Sequence, residues 1–319
     1  MLEKVAPHRL RGQSIIWSQD FDCGLLKDIF DRADKLPRGR RNSALRNKRV
    51  ILLFYEVSTR TRFSFEAAVD DLGGTRLDTE NASILSSVAK GETLEDSIRV
   101  IASYGDAIIL RHQEDTAAMR ARDILQSNNI WVPVINAGCG GVGGQHPTQS
   151  LLDLYTIKKE ISRTEGLTVA MVGDLKHGRT VRSLAYLLGK FPGNQIHFIA
   201  PWELMIGNDI IAYLKRHKVD VTLGTDLGKV VESVDIVYMT RVQKERFSDP
   251  AAYERLKGSY RLTVSLAERM RPEARIMHPL PKVDEIDPAV DLLPQAAYFR
   301  QADNGLQIRK ALLEMILGE

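Results

Sequence analysis

The chain has 319 residues, 44% of them hydrophobic and 27% charged, with 44 lysines and arginines against 41 aspartates and glutamates. That composition excludes a disordered or low-complexity chain, and the even mixing of both signs argues against a nucleic-acid-binding surface. No apolar run approaches a membrane span and the opening residues lack the apolar stretch of a signal peptide, so the chain is read as cytoplasmic, with no membrane partner.

From residue 24 to 36, Leu25, Leu26, Ile29, Phe30, Ala33 and Leu36 recur at spacings of three and four, which predicts one amphipathic helix. Arg49–Tyr55 is a short apolar run that predicts a strand. Phe65, Ala68, Val69 and Leu72 follow at helical spacing and end at Gly73-Gly74, a C-terminal stop signal. Residues 78–93 are polar, without apolar periodicity, and predict a long loop that is either solvated surface or functional. A helix is predicted over 94–104, a strand over 107–110, a helix over 116–127 and a strand over 131–135. Five glycines then fall within residues 138–144, which makes a hinge plausible before a long helix over 148–161. After it the alternation restarts, with strands over 167–172, 195–199, 219–223, 234–239 and 275–277.

Strands separated by helices imply parallel pairing. A chain of this length also exceeds a single core, so two domains of about 150 residues are expected. The expected fold is therefore α/β, two doubly wound domains over residues 1–145 and 146–302, each with a central, mostly parallel sheet flanked by helices. A last helix over 303–317 carries Leu306, Leu312, Met315 and Ile316 in phase, with Asn304 as its cap. Its phase does not say which half it packs on; we assign residues 303–319 to the first domain. Cys23 and Cys139 can form neither a metal tetrad nor a redox pair. Their count alone would permit a disulfide, but in the cytoplasm both are expected as free thiols.

The polar motifs follow strands. Ser58-Thr59-Arg60-Thr61 lies where a strand ends and a helix begins, so free N–H groups, the helix dipole, three hydroxyls and a guanidinium can converge on one anion. Capping by Ser58 or Thr59 is the plainer explanation of a hydroxyl there, but it leaves Arg60 unexplained. Arg111-His112 follows the next strand, and His146-Pro147-Thr148-Gln149 follows the glycine-rich stretch; an open parallel sheet binds ligands beyond its strands' carboxyl ends. A rim arginine or a structural histidine would look the same in isolation. In the second half, Gly173–Arg179, Thr240-Arg241-Val242-Gln243 and His278-Pro279-Leu280-Pro281 occupy equivalent places. Two arginines suit a dicarboxylate, one fork for each carboxylate, unless they serve ion pairs. Gly138, Gly140 and Gly143 fit a dinucleotide-binding pattern, but the acidic residue expected about 20 positions later is missing.

Taken together, Phe54–Arg62, His146-Pro147-Thr148-Gln149, Gly173–Thr180 and His278-Pro279-Leu280-Pro281 closely resemble the transcarbamoylase family over nearly the whole chain. Thr240–Arg246 resembles its aspartate branch, and Pro279 stands where the ornithine branch has a cysteine. The resemblance implies transfer of the carbamoyl group of carbamoyl phosphate to the amine of L-aspartate, in de novo pyrimidine biosynthesis, with neither metal nor organic cofactor. It implies that Ser58, Thr59, Arg60, Thr61 and Arg111 bind the phosphate and that Thr61, His146 and Gln149 contact the carbamoyl group. Arg179, Arg241 and Gln243 would bind aspartate, and the carbonyls of Pro279 and Leu280 would orient amino groups. Ser86 and Lys90 would enter the active site of a neighbouring subunit in a homotrimer, with Arg60, Thr61, Lys90, Arg111 and His146 as the catalytic set. A regulatory chain or another pyrimidine-pathway enzyme is a possible further partner. Ala89 and His177 depart from the common pattern, where a lysine and a tyrosine are usual. Glu56, beside the phosphate motif, is expected to bridge the halves in a closed state through Arg179 or Arg246. The rival classes are a dinucleotide-dependent oxidoreductase, distinguished by tight dinucleotide binding, and a silent homologue, which the intact residue set disfavours.

Overall fold

A computed structural model describes residues 9–39, 41–82, 91–141, 143–242, 249–256, 258 and 260–318. The chain divides into two compact units: residues 1–148 with 305–319, and residues 149–304. The divisions thus lie at 148/149 and 304/305, beside the expected 145/146 and 302/303.

In the first unit the described strands are β1 (Arg49–Phe54), β2 (Thr75–Glu80), β3 (Ala107–Arg111) and β4 (Val134–Asn136), all parallel, in the order β2-β1-β3-β4. Helices α1 (Cys23–Lys35), α2 (Thr59–Asp71), α3 (Leu94–Ile101) and α4 (Ala117–Ser127) accompany them. Val50 to Phe54 and all of β3 and β4 are buried, which is why these segments read as apolar runs up to the polar Arg111 and Asn136 that close β3 and β4. β2 is the exception. It is an outer strand of the sheet, its sequence Thr-Arg-Leu-Asp-Thr-Glu has no fully buried position, and neither apolar run nor alternation marks it. The loop expected from residue 78 is therefore strand through Glu80, its pairing supplied by the neighbouring β1 main chain. The strand expected over 131–135 forms only over 134–136, and the helix expected to reach 104 gives way to a 3-10 turn at Ala102.

The second unit holds β5 (Thr168–Val172), β6 (Gln195–Ile199), β7 (Asp220–Gly224), β8 (Ile236–Met239) and β9 (Arg275–Met277), parallel in the order β7-β6-β5-β8-β9 among the described residues. One core cluster there packs Val172, Val237, Met239, Ile276 and Tyr298 together.

Helix α5 runs Pro147–Ile161, α6 Arg179–Leu188, α7 Asn208–Arg216, α8 Pro250–Leu256, α9 Val264–Ala267 and α10 Tyr298–Leu317. The last begins five residues before the expected start. Asn304 is thus inside the helix, where its Nδ2 donates to Thr156 Oγ1 at 3.0 Å instead of capping an end. The C-terminal part of α10 belongs to the first unit: Arg32 pairs with Glu314, Gln307 Nε2 donates to Leu36 O at 2.9 Å, and the 1%-exposed Lys310 Nζ meets Pro37 O and Asp71 Oδ2, each at 3.1 Å. Stripping Asp71 from so buried an ammonium would cost about 3–5 kcal/mol, so the contact makes that docking specific. Among the described residues no helix is long and apolar enough to cross a membrane.

Candidate active site

In the first sheet the chain steps from β1 outward to β2, then crosses back to place β3 on the other side of β1, so the winding reverses between β1 and β3. In the second it steps from β5 through β6 to β7 and returns to place β8 beside β5. Loops leave such a reversal in opposite directions and open a crevice at the carboxyl ends, where open α/β sheets bind ligands.

Each crevice carries motifs anticipated from sequence. At the first, β1 leads into Ser58 and α2, and Phe54 is in register with Arg111 at the end of β3. Ser58 holds the N-cap position of α2, yet its hydroxyl makes no capping hydrogen bond, so the helix's amino end is not closed by that side chain. Thr59 and Arg60 are exposed, whereas Thr61, Arg111 and His146 are 7%, 8% and 5% exposed. Gly138, in the turn after β4, shows why these groups converge. It has φ +107°, and a Cβ there would lie 2.7 Å from Arg111 Nη1, 2.8 Å from His146 Cδ2 and 3.1 Å from His146 Nε2. The guanidinium and the imidazole thus border one methyl-sized space that only glycine leaves open. Of the glycines that mimic a dinucleotide motif, Gly138 serves this approach, whereas a Cβ at Gly140 or Gly143 would meet Asp115 instead, at 2.4 and 2.5 Å.

Asn136, the buried last residue of β4, escaped the sequence reading. Its Oδ1 accepts from Gly138 N at 2.9 Å and Cys139 N at 2.8 Å, while Nδ2 donates to Ile16 O at 3.0 Å, and so shapes the turn. A polar residue closing an apolar strand was its only signal. Glu56, expected to bridge the halves, has its Oε2 3.5 Å from Arg111 Nη2, within the first unit. It touches the phosphate-binding candidate in that unit.

In the second unit three motif segments leave three adjacent strands, β5, β8 and β9. Val172 is in register with Met239, and Tyr238 with Met277, so Gly173, Thr240 and His278 all lie just past the sheet. Gly173 has φ +109°, and a Cβ there would lie 2.2 Å from Thr240 O, so the segments bearing Arg179 and Arg241 touch main chain to main chain. Asp174, fully buried, accepts from His177 N and Nδ1 at 3.0 Å each and braces the turn that delivers Arg179 to the first position of α6. Arg179 and Arg241 are both half-buried.

The turn after β9 is held from inside. His278 Nε2 lies 2.6 Å from Glu285 Oε1, its Nδ1 accepts from Leu280 N at 2.7 Å, and Val283 N reaches Glu285 at 3.2 Å. Burial alone would push the Glu285 carboxyl up, but the hydrogen bond from His278, with nearby amides, outweighs it and holds the group below its ordinary value. Leu280 sits at φ +56°, which turns the chain sharply after Pro279. Gln149 belongs to this unit, and its Nε2 donates to Asp153 Oδ1 at 2.8 Å. Ser86, Lys90, Gln243 and Arg246 lie outside the described residues.

Family models fit both parts of the chain. Residues 13–159 match the aspartate/ornithine carbamoyltransferase carbamoyl-P binding domain, and residues 165–316 match the aspartate/ornithine carbamoyltransferase Asp/Orn binding domain. The chain belongs to the aspartate/ornithine carbamoyltransferase family. Among its relatives in that family, chloroplastic aspartate carbamoyltransferase 1 of Pisum sativum is 48% identical over 95% of this chain and 78% of its own length. The aspartate carbamoyltransferase catalytic subunit of Methanothrix thermoacetophila is 46% identical over 97% of this chain and 99% of its own. Among solved structures, aspartate transcarbamoylase from Trypanosoma cruzi in complex with carbamoyl phosphate and aspartate superposes with a TM-score of 0.91 at 34% identity, covering 99% of this chain and 100% of that one. The catalytic subunit of M. jannaschii aspartate transcarbamoylase gives 0.83 at 44% identity, covering 95% and 97%. Within the family the resemblance is to the aspartate members, in agreement with Pro279 and Arg241.

Proposed function

We propose that this chain transfers the carbamoyl group of carbamoyl phosphate to the amine of L-aspartate, giving N-carbamoyl-L-aspartate and phosphate, the carbamoyl transfer of pyrimidine biosynthesis. The observation that carries the reading is the coincidence of motif and topology: anion-binding groups stand at the winding reversal of one sheet, and two arginine-bearing segments at that of the other.

Carbamoyl phosphate places its phosphate against the amino end of α2, with Ser58, Thr59, Arg60, Thr61 and Arg111, where N–H groups, dipole and guanidinium all favour an anion. Its carbamoyl group faces Thr61, His146 and Gln149. Aspartate is held by Arg179, Arg241 and Gln243, and the carbonyls of Pro279 and Leu280 accept from amino groups. The neutral amine attacks the carbamoyl carbon and a C–N bond forms. The carbonyl oxygen gains negative charge beside Arg111, His146 and Thr61, donors already in place before the charge develops. The oxyanion then collapses back to a carbonyl, the bond between the carbamoyl carbon and the bridging phosphate oxygen breaks, and the departing phosphate takes the amine proton. No covalent enzyme intermediate is needed.

The decisive assay offers carbamoyl phosphate with either aspartate or ornithine; product from ornithine alone would overturn the assignment. The two half-sites also make separate demands. Arg241→Ala is expected to raise the KM for aspartate at least tenfold while that for carbamoyl phosphate changes little, since one lost charge-assisted fork is worth about 1.5–3 kcal/mol. Equal damage to both constants in steady-state kinetics would instead mark Arg241 as structural.

The subunits assemble as a homotrimer with shared sites, Ser86 and Lys90 serving the neighbour. Relatives named as catalytic subunits support a regulatory partner chain as well. Two inactive variants then complement one another: Arg60→Ala keeps a sound loop, and Lys90→Ala keeps a sound phosphate site. Every mixed cyclic trimer has one interface where both are intact, so random reassembly at equal ratio is expected to restore roughly a quarter of wild-type activity. Mixed trimers no more active than either variant reassembled alone would return each site to a single chain. For compartment we read the cytoplasm, in keeping with two cysteines, Cys23 and Cys139, that show no redox spacing.

A further inference from the structure

One buried charge has no part in the steps above. Asp153, on the second turn of α5, has no solvent exposure, and three donors converge on its carboxylate. Gln149 Nε2 and Gln301 Nε2 reach Oδ1 at 2.8 and 2.6 Å, and the Tyr238 hydroxyl reaches Oδ2 at 2.7 Å. Gln149 and Asp153 share a helical face because they are four residues apart. Gln301 belongs to α10 and Tyr238 to β8, so three separate elements meet at this one group.

Chemistry sets the direction of these bonds. The main-chain N–H of His278 can only donate, and Gln301 Oε1 receives it at 2.9 Å. The Gln301 carboxamide must therefore turn its NH2 end to Asp153, whose Oδ1 must accept. An ionised carboxylate offers acceptors only, so Gln149 has to turn its NH2 end inward too. Its Oε1 is then the outward end, and no described protein donor reaches it.

We infer that Asp153 is a positioning residue for substrate selection: it holds the Gln149 carboxamide with oxygen outward, so that the site demands a hydrogen-bond donor on the acyl group of the phosphate substrate. This rests on the proposed role of Gln149 at the carbamoyl group. A carboxamide has nearly the same shape either way round, so packing alone does not choose which end faces the substrate. The buried anion does. Carbamoyl phosphate satisfies Oε1 with its NH2; acetyl phosphate, the same shape with a methyl group there, leaves a desolvated acceptor unpaired, a penalty that polar sites use to reject near-isosteres. The shared carboxylate also anchors, through Gln301, the start of the His278–Pro281 turn, so one group keeps both segments in register.

The test compares dissociation constants for carbamoyl phosphate, acetyl phosphate and inorganic phosphate, by calorimetry and by competition in the transfer reaction. Asp153→Leu removes the acceptor at similar volume. It is expected to weaken carbamoyl phosphate about tenfold, as loss of one well-placed hydrogen bond does, while the other two ligands stay within about twofold. Asp153→Asn keeps one oxygen for both glutamines and can turn its NH2 to the Tyr238 hydroxyl, so it should recover most of the discrimination. Gln149→Ala should reproduce the selective loss, and adding Asp153→Leu to it should change little further. Should Asp153→Leu not fold, Asp153→Ala is read by the same three constants. Weakening of all three ligands together, or full additivity with Gln149→Ala, overturns the inference in favour of a purely structural Asp153. A wild-type protein that fails to carbamoylate aspartate overturns the functional reading instead, so the two failures are told apart by the parent enzyme's own assay.

Discussion

Replacing Arg60 with alanine is expected to lower kcat about 100-fold or more while leaving the thermal unfolding midpoint nearly unchanged. Arg60 is the second residue of α2, its side chain is exposed, and the Ser58 hydroxyl before it makes no capping bond. The helix end and the guanidinium thus present positive charge together where the proposed reaction would form its leaving phosphate. Loss of one such preorganised donor typically costs about 2.7–4 kcal/mol of transition-state stabilisation, which is the 100-fold or more. An exposed side chain contributes little to the core, so stability survives. The measurement is steady-state kcat and KM for both substrates beside calorimetric unfolding. Turnover near the wild-type value would remove Arg60 from the phosphate role.

Gly138→Ala should be comparably damaging for a different reason, since glycine there is a space and not a group. The added methyl would lie 2.7 Å from Arg111 Nη1 and 2.8 Å from His146 Cδ2, so both must shift, and the φ of +107° is itself unfavourable for alanine. A displacement of about 1 Å in catalytic donors can cost on the order of 100-fold in rate, and the strained backbone a further 1–3 kcal/mol of stability. Gly12→Ala is the control. Gly12 also has positive φ, +66°, but nothing lies within 4 Å of the position its Cβ would take. It should lose stability through strain and keep its kcat. Equal kcat in the two variants would mean that Arg111 and His146 do not act where Gly138 lets them meet.

How much of this was legible depended on where each residue's partners lie along the chain. The buried strands were readable because both faces of a parallel sheet are covered, so Val50–Phe54 and Ala107–Leu110 carry apolar side chains without a break. The outer strand Thr75–Glu80 was not, because its stabilisation is main-chain pairing with β1, which leaves no mark on side-chain chemistry. Likewise Tyr298–Asn304 continues α10 although nothing local starts a helix there; Gln301 and Asn304 are satisfied by Asp153 and Thr156, nearly 150 residues away.

The sequence by itself determined the class of fold, the strand-end location of the candidate anion-binding motifs, and the family, because those depend on local periodicity and on contiguous residue types. Only the tertiary structure decided which strand ends are neighbours, that Glu56 meets Arg111, that Gly138 exists to let a guanidinium and an imidazole approach, and that Asn136, Asp174 and Asp153 brace the motifs from behind. The physical reason is directional: a hydrogen bond or ion pair is made by atoms about 3 Å apart in space, and a linear sequence carries no distance between residues that the sheet order brings together.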